Sequence, residues 1–259
     1  MTQSERRQFL IRALISERPE TLDGRVPQSA AEQERLLRGL MNVRAPGGCS
    51  PEFLRIQDEY LRTAIAERGV TDVRDLSPMQ PGLYLWQGDI TALRCDAIVN
   101  AANSGMTGCY APNHACIDNA IHTFAGVELR QACAEIMARQ RHPEPAGQAK
   151  ITPAFNLPCR FILHTVGPIV EDRPTPRDCA LLESCYRACL ALTAAHGLES
   201  VAFCCISTGV FHFPNEQAAA IAVRTVRDFL KKPTSIKKVI FNVFKDYDRE
   251  IYDRLLRAD

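Results

Sequence analysis

The sequence predicts an α/β protein: a largely parallel or mixed sheet with helices on both faces, preceded by a purely helical segment. Two observations carry this. Residues 1 to about 80 show helical periodicity without strand signals, whereas after Pro81 apolar runs rich in β-branched and aromatic residues alternate with helical stretches. The chain is therefore divided into a helical N-terminal extension, residues 1–80, and an α/β body, residues 81–259.

The first helix is expected over Ser4–Glu17, where Phe9, Leu10, Ala13 and Leu14 recur at helical spacing. Ser29-Ala30-Ala31-Glu32 has the pattern of a capping box and leads into Leu36, Leu37 and Leu40. A third helix runs from Ser50 through Arg68. Ser50 is its N-cap, Pro51 suits the first helical position, Leu54, Tyr60, Leu61 and Ile65 form its apolar stripe, and Gly69 stops it. In the body, Leu83–Trp86 and Ala97–Val99 read as strands, followed by helices at Ile117–Ala125 and Leu129–Arg139. Strand Phe161–Thr165, helix Cys179–Ala195, strand Val201–Ile206, helix Glu216–Leu230, strand Lys238–Phe244 and a closing helix around Tyr247–Leu256 complete the series. Arg141–Gly147 and Glu171–Pro176 read as loops.

The 259 residues carry 31 Lys and Arg against 30 Asp and Glu, a net charge of +1. Such a balance offers no global attraction to nucleic acid or to a membrane surface, so a polyanionic ligand must be held by a local site. No apolar run approaches the ~18 residues of a membrane span. The start of the chain lacks a secretory pattern, so the expected location is cytoplasmic. Eleven cysteines, an odd number in a chain expected in the cytoplasm, argue against a disulfide framework. Most, including Cys133, Cys185, Cys189, Cys204 and Cys205, sit in apolar runs as small hydrophobes.

In sheets of this kind ligands collect beyond the carboxyl ends of the strands. Three segments there carry chemistry. Ser207-Thr208-Gly209-Val210-Phe211 follows a strand and precedes a helix, so successive backbone N–H groups can converge on an anion. Asn100 and Asn103 flank a strand end, and their amides suit sugar hydroxyls. Between Gly108 and Cys116 lie two thiols and an imidazole, Cys109, His114 and Cys116. These are preferred Zn²⁺ ligands, and three of them leave a fourth tetrahedral position for water or substrate. On spacing alone other readings stay open: a closed site with His122 as fourth ligand, a thiol nucleophile at Cys109 or Cys116 activated by His114 or His122, or buried thiols beside a surface histidine. A zinc deaminase is disfavoured, because its His-x-Glu and Cys-x-x-Cys pieces are absent.

Four segments together resemble a known family. Leu85-Trp86-Gln87-Gly88-Asp89-Ile90-Thr91, Asp96-Ala97-Ile98-Val99-Asn100-Ala101-Ala102-Asn103, His164-Thr165-Val166-Gly167-Pro168 and Ile206-Ser207-Thr208-Gly209-Val210-Phe211 occur in the order and spacing of a macrodomain, the three-layer α/β/α module that binds ADP-ribose. Asp118-Asn119-Ala120-Ile121-His122 and Gly147-Gln148-Ala149-Lys150-Ile151-Thr152 resemble segments of its hydrolase branch. The Cys109, His114 and Cys116 loop, with the helical extension, is similar to the zinc-containing members. The resemblance implies a zinc-dependent hydrolase with one Zn²⁺ ion, removing mono-ADP-ribose from modified protein side chains, acidic ones first. It also implies roles. Asp89 accepts from the adenine amine, the Ile90 N–H meets the ring, and Phe244 lies beside adenine. Ser207, Thr208, Gly209, Val210 and Phe211 wrap the diphosphate, while Asn103 and Asp118 act at the proximal ribose. His212 and Phe213 stand where glycine and an aromatic are common in the branch. Relatives in the zinc branch accompany a sirtuin-type transferase that modifies a lipoyl-carrier protein, which would make such a carrier the substrate. The rival readings are a non-catalytic ADP-ribose reader and an O-acyl-ADP-ribose deacylase.

Overall fold

The computed structural model of the protein describes residues 1–17 and 25–258. Helix α1 (Gln3–Ser16) begins at Thr2, whose hydroxyl accepts from the Glu5 N–H while the Glu5 carboxylate accepts from the Thr2 N–H. Ser29 caps α2 (Ala30–Val43), and Ser50 caps α3 (Pro51–Glu67) with Pro51 in its first turn. The three helices share an apolar core that includes Leu10, Ile11, Leu37, Phe53, Ile56 and Leu61. That core closes on Val127 and Phe124 of the body, so the extension covers an apolar face there. Polar groups pin the junction. The buried Gln57 side chain accepts from the Val127 N–H at 2.9 Å, and the buried Arg130 guanidinium donates to the carbonyls of Asn42 and Arg44, both at 2.6 Å.

The body is built on β2 (Leu83–Gln87), β4 (Ala97–Ala101), β5 (Ala149–Pro153), β6 (Phe161–Thr165), β7 (Ser200–Phe203) and β8 (Lys238–Val243). Their order across the sheet is β2-β8-β7-β4-β6-β5, with β5 antiparallel to β6 and every other pair parallel. The central β4 is buried over Ala97–Asn100, which accounts for its unbroken apolar texture. Helices α4 (Ile117–Ala125) and α5 (Val127–Gln140) pack together beside the extension. Helices α6 (Pro176–Ala195), α7 (Asn215–Leu230) and α8 (Asp246–Arg257) form the other layer. Among the described residues no helix is long and apolar enough to cross a membrane.

Beyond shifts of one or two residues at element ends, the structure departs from the sequence reading in four places. A two-residue strand, β1 (Thr71–Asp72), lies in the stretch read as strandless and pairs with β3 (Leu93–Arg94); two residues are too few to show a period. Edge strand β5 was unread, because Lys150, Thr152 and a terminal Pro153 break the apolar pattern, a mixture that an edge position tolerates. Strand β7 stops at Phe203 rather than Ile206, since the chain turns between Cys205 and Thr208 and Ser207 takes a φ of 65°. Helix α6 starts at Pro176, capped by Thr175 and Asp178, ahead of the expected Cys179.

Candidate active site

The five parallel strands send their carboxyl ends to one edge of the sheet, and the predicted site residues follow those ends. After β4 the chain forms a long loop that leads into α4. Its start is pinned by Met106, fully buried against Ala102 and Val166 in the left-handed region at φ 62°. Its end is Cys116, whose sulfur accepts from the Asn119 N–H at 3.4 Å and so caps α4. Asp118 therefore sits in the first turn of α4, where the helix dipole favours a carboxylate.

Asp118 is buried and held from both sides. The Asn100 amide donates to its Oδ1 at 2.8 Å, and the Asn103 amide donates to its Oδ2 at 3.3 Å and to the Gly108 carbonyl at 3.1 Å. Burial pushes the Asp118 carboxyl up to about 6, against the Asn100 hydrogen bond and the charge of Arg130, which pull it down. Asn103 and Asp118 are thus brought together as expected. Asn100 is not a sugar ligand: it is fully buried, and its amide nitrogen also lies 3.1 Å from His164 Nδ1. That contact leaves His164 Nε2 as the protonated nitrogen, which faces Thr152 Oγ1 at 2.9 Å.

Cys109, His114 and Cys116 converge, with their ligand atoms all within 4.8 Å of one another. Cys109 Sγ lies 3.6 Å from His114 Nδ1. Sulfur and nitrogen ligands on one tetrahedral Zn²⁺ stand about 3.6 Å apart, so the donor set fits the metal in type and in spacing. His122 does not join them as a fourth ligand. It is buried instead beside Cys133 and His164, with neither ring nitrogen hydrogen-bonded among the described residues, and burial holds it neutral. Burial also pushes the Cys116 thiol up to about 11, away from the free thiolate that a nucleophile requires.

The segment after β7 has the backbone of an anion cradle. Ser207 and His212 both adopt left-handed φ, 65° and 55°. The N–H groups of Ser207, Gly209, Val210 and Phe211 make no hydrogen bond among the described residues, whereas their carbonyl partners tie the loop down through Phe213 N to Ser207 O and Val170 N to Phe211 O. Phe213 is buried core, and His212 carries the conformation that glycine adopts most easily. Gly167, after β6, makes room for this loop: a Cβ there would lie 2.0 Å from Ser207 Oγ. After β2, the Asp89 carboxylate caps the turn Ile90–Ala92 through the Thr91 N–H and accepts from Arg68 of the extension at 2.8 Å. Ile90 is buried beneath it, and Phe244, after β8, is largely exposed at the mouth.

A family profile described as Macro domain matches residues 99–222, the span from β4 into α7. A protein-ADP-ribose hydrolase of Treponema medium is 57% identical over 99% of this chain and 100% of its own length. The chain belongs to the macro domain family. A protein-ADP-ribose hydrolase of Staphylococcus aureus is 47% identical over 98% of this chain and 96% of its own length. Among solved structures, a Trypanosoma brucei macrodomain in complex with ADP-ribose superposes with a TM-score of 0.66 at 29% identity, covering 88% of this chain and 96% of that one. An Oceanobacillus iheyensis macrodomain mutant with ADPR has a TM-score of 0.63 at 38% identity, covering 70% of this chain and 96% of that one.

Sequence reasoning missed the residues that organise this macrodomain's site from a distance. Arg38 and Asn42 of α2 hydrogen-bond the loop that carries His114, across more than seventy positions of chain, and no local pattern marks them. The remaining cysteines divide: Cys95, Cys133, Cys159, Cys185, Cys189 and Cys204 are buried as expected, while Cys49, Cys179 and Cys205 are only half-buried. All eleven are free.

Proposed function

We propose that this macrodomain is a zinc-dependent protein-ADP-ribose hydrolase that removes mono-ADP-ribose from modified side chains, acidic ones first. The observation that carries the reading is the bond from Asn103 to Asp118 across the ends of the loop that gathers Cys109, His114 and Cys116. A pure reader of ADP-ribose needs the cradle but not this donor set at its ribose end.

ADP-ribose is laid along the carboxyl edge of the sheet. The free N–H groups of the Ser207–Phe211 segment hold the diphosphate, which explains how a chain of net charge +1 binds a dianion without a basic surface. Adenine sits between Asp89, the Ile90 N–H and Phe244, at the edge formed by β2 and β8. Thr208 lines the cradle, with its hydroxyl turned back to the Cys205 carbonyl at 3.0 Å. The proximal ribose then reaches Asn103 and Asp118. Cys109, His114 and Cys116 would hold one Zn²⁺, which would supply Lewis acidity at the anomeric end. Asn100 and Asn103 fix the orientation of the Asp118 carboxylate, so that it positions ribose and water. An ester from ribose to a carboxylate is already labile, and positioning with polarisation suffices to cleave it.

As protein substrate we propose a lipoyl-carrier protein modified by a sirtuin-type transferase, on the family resemblance alone. A cytoplasmic location is supported by eleven free thiols. The test is release of ADP-ribose from a carrier modified on an acidic residue, before and after chelation, with Cys109→Ala in parallel. We expect chelation and the substitution each to abolish turnover while ADP-ribose binding persists. Equal rates would remove zinc from the mechanism, and no release at all would leave a reader.

A further inference from the structure

The N-terminal extension does more than cover apolar surface. Helix α2 runs against the loop between Gly108 and Cys116 and bonds the backbone on both sides of the middle ligand. The Asn42 side-chain oxygen accepts from the Asn113 N–H at 2.9 Å, just before His114. Arg38 Nη2 donates to the His114 carbonyl at 3.1 Å, just after it. The same guanidinium grips Asn119 Oδ1 through Nε at 3.2 Å and Nη2 at 2.9 Å, while Asn119 Nδ2 donates to the Ala111 carbonyl at 3.0 Å. Asn42 Nδ2 in turn donates to Thr123 Oγ1 at 3.0 Å, which fastens the arrangement to α4. Close contact is possible because position 39 is glycine: a Cβ there would lie 3.1 Å from the Asn113 amide.

We propose that Arg38 and Asn42 are positioning residues for the metal site, setting the place of His114 relative to Cys109 and Cys116; this rests on the reading of that triad as the zinc site. The loop has little backbone bonding of its own in this stretch beyond His114 N to Ala111 O, and Asn113 adopts a left-handed φ of 57°. A free loop would have to be ordered each time the ion bound. Contacts from α2 remove that cost in advance, as a rigid frame does for any ligand set. Groups that orient metal ligands from outside typically change metal affinity 10–100-fold when removed.

The experiment is titration of the full-length metal-free protein with Zn²⁺ against a chromophoric chelator, for wild type, Arg38→Ala, Arg38→Lys and Asn42→Ala. Metal-free ADP-ribose affinity and the unfolding midpoint are measured on the same samples. We expect Zn²⁺ affinity to fall about 10–100-fold in Arg38→Ala and in Asn42→Ala. Arg38→Lys should recover little, because a single ammonium cannot bridge Asn119 and the His114 carbonyl as a fork does. Metal-free ADP-ribose affinity should stay within about twofold, since neither side chain reaches the cradle. Zn²⁺ affinity retained in both alanine variants would overturn this proposal and leave the zinc site standing. No tight Zn²⁺ binding by wild type would overturn the zinc site, and this proposal with it.

Discussion

Replacing Gly167 by alanine tests the proposed diphosphate cradle. The added Cβ would stand 2.0 Å from Ser207 Oγ, 2.9 Å from Ile206 Cγ2 and 3.3 Å from Ser207 Cβ. Non-bonded atoms settle near 3.5 Å, so the hydroxyl must retreat by about 1.5 Å. Turning the hydroxyl aside leaves the 2.9 Å approach to Ile206 Cγ2, and both Ile206 and Ser207 are buried. Overpacking of this kind costs about 1–3 kcal/mol of stability. The strain is relieved by displacing the Ser207–Phe211 backbone, which carries the N–H groups. We therefore expect ADP-ribose affinity, measured by calorimetry below the unfolding transition, to fall about 10–100-fold, roughly 1.4–2.8 kcal/mol. Ser207→Gly removes the hydroxyl and the Cβ and tolerates the same φ, so the double variant, left with the Ile206 contact alone, should recover part of the loss. Affinity in Gly167→Ala within twofold of wild type would refute the argument. So would a double variant no better than Gly167→Ala.

Asn100→Ala takes a buried donor away from Asp118 Oδ1 and His164 Nδ1. Unfolding in urea should show a loss of about 2–3 kcal/mol, and turnover should fall about 100-fold with less than a tenfold change in ADP-ribose affinity. Unchanged turnover in a measurably destabilised variant would remove Asn100 from the positioning of Asp118. The pH dependence of stability follows from His164, which burial holds neutral down to about 3. An unfolded imidazole protonates near 6.5, so below that pH the unfolded chain binds the extra proton and stability falls as pH falls. From pH 7 to pH 5 this one residue should cost about 2 kcal/mol. The check is the urea midpoint across that range in wild type and in His164→Gln, whose dependence should be shallower by that amount; parallel curves would contradict it.

Composition made the ligand loop visible early. Two thiols and an imidazole between Gly108 and Cys116 are conspicuous in a short polar stretch, and the fold brings them to within 4.8 Å. Spacing left His122 open as a fourth ligand, because sequence proximity does not reveal direction. One helical turn beyond Asp118 it points into the core toward Cys133 and His164. Asn100 was open for a related reason: an amide at a strand end suits a sugar as well as a structural partner, and here it donates to Asp118.

Local pattern was enough to read the helical extension, the alternating body, the strands β4, β6 and β8, the turn after β7 and the cluster of two thiols and an imidazole. Each of these depends on periodicity or on residue types a few positions apart, which a linear chain displays. The contacts from Arg38 and Asn42 to the His114 loop, the grip of Arg68 on Asp89, and the space that Gly167 leaves for Ser207 join residues 21 to 76 positions apart. Pairings over such distances exist only once β4, β6 and β7 lie side by side and the extension has docked on α4, because short hydrogen bonds and steric fit depend on distance in space and leave no trace in local spacing.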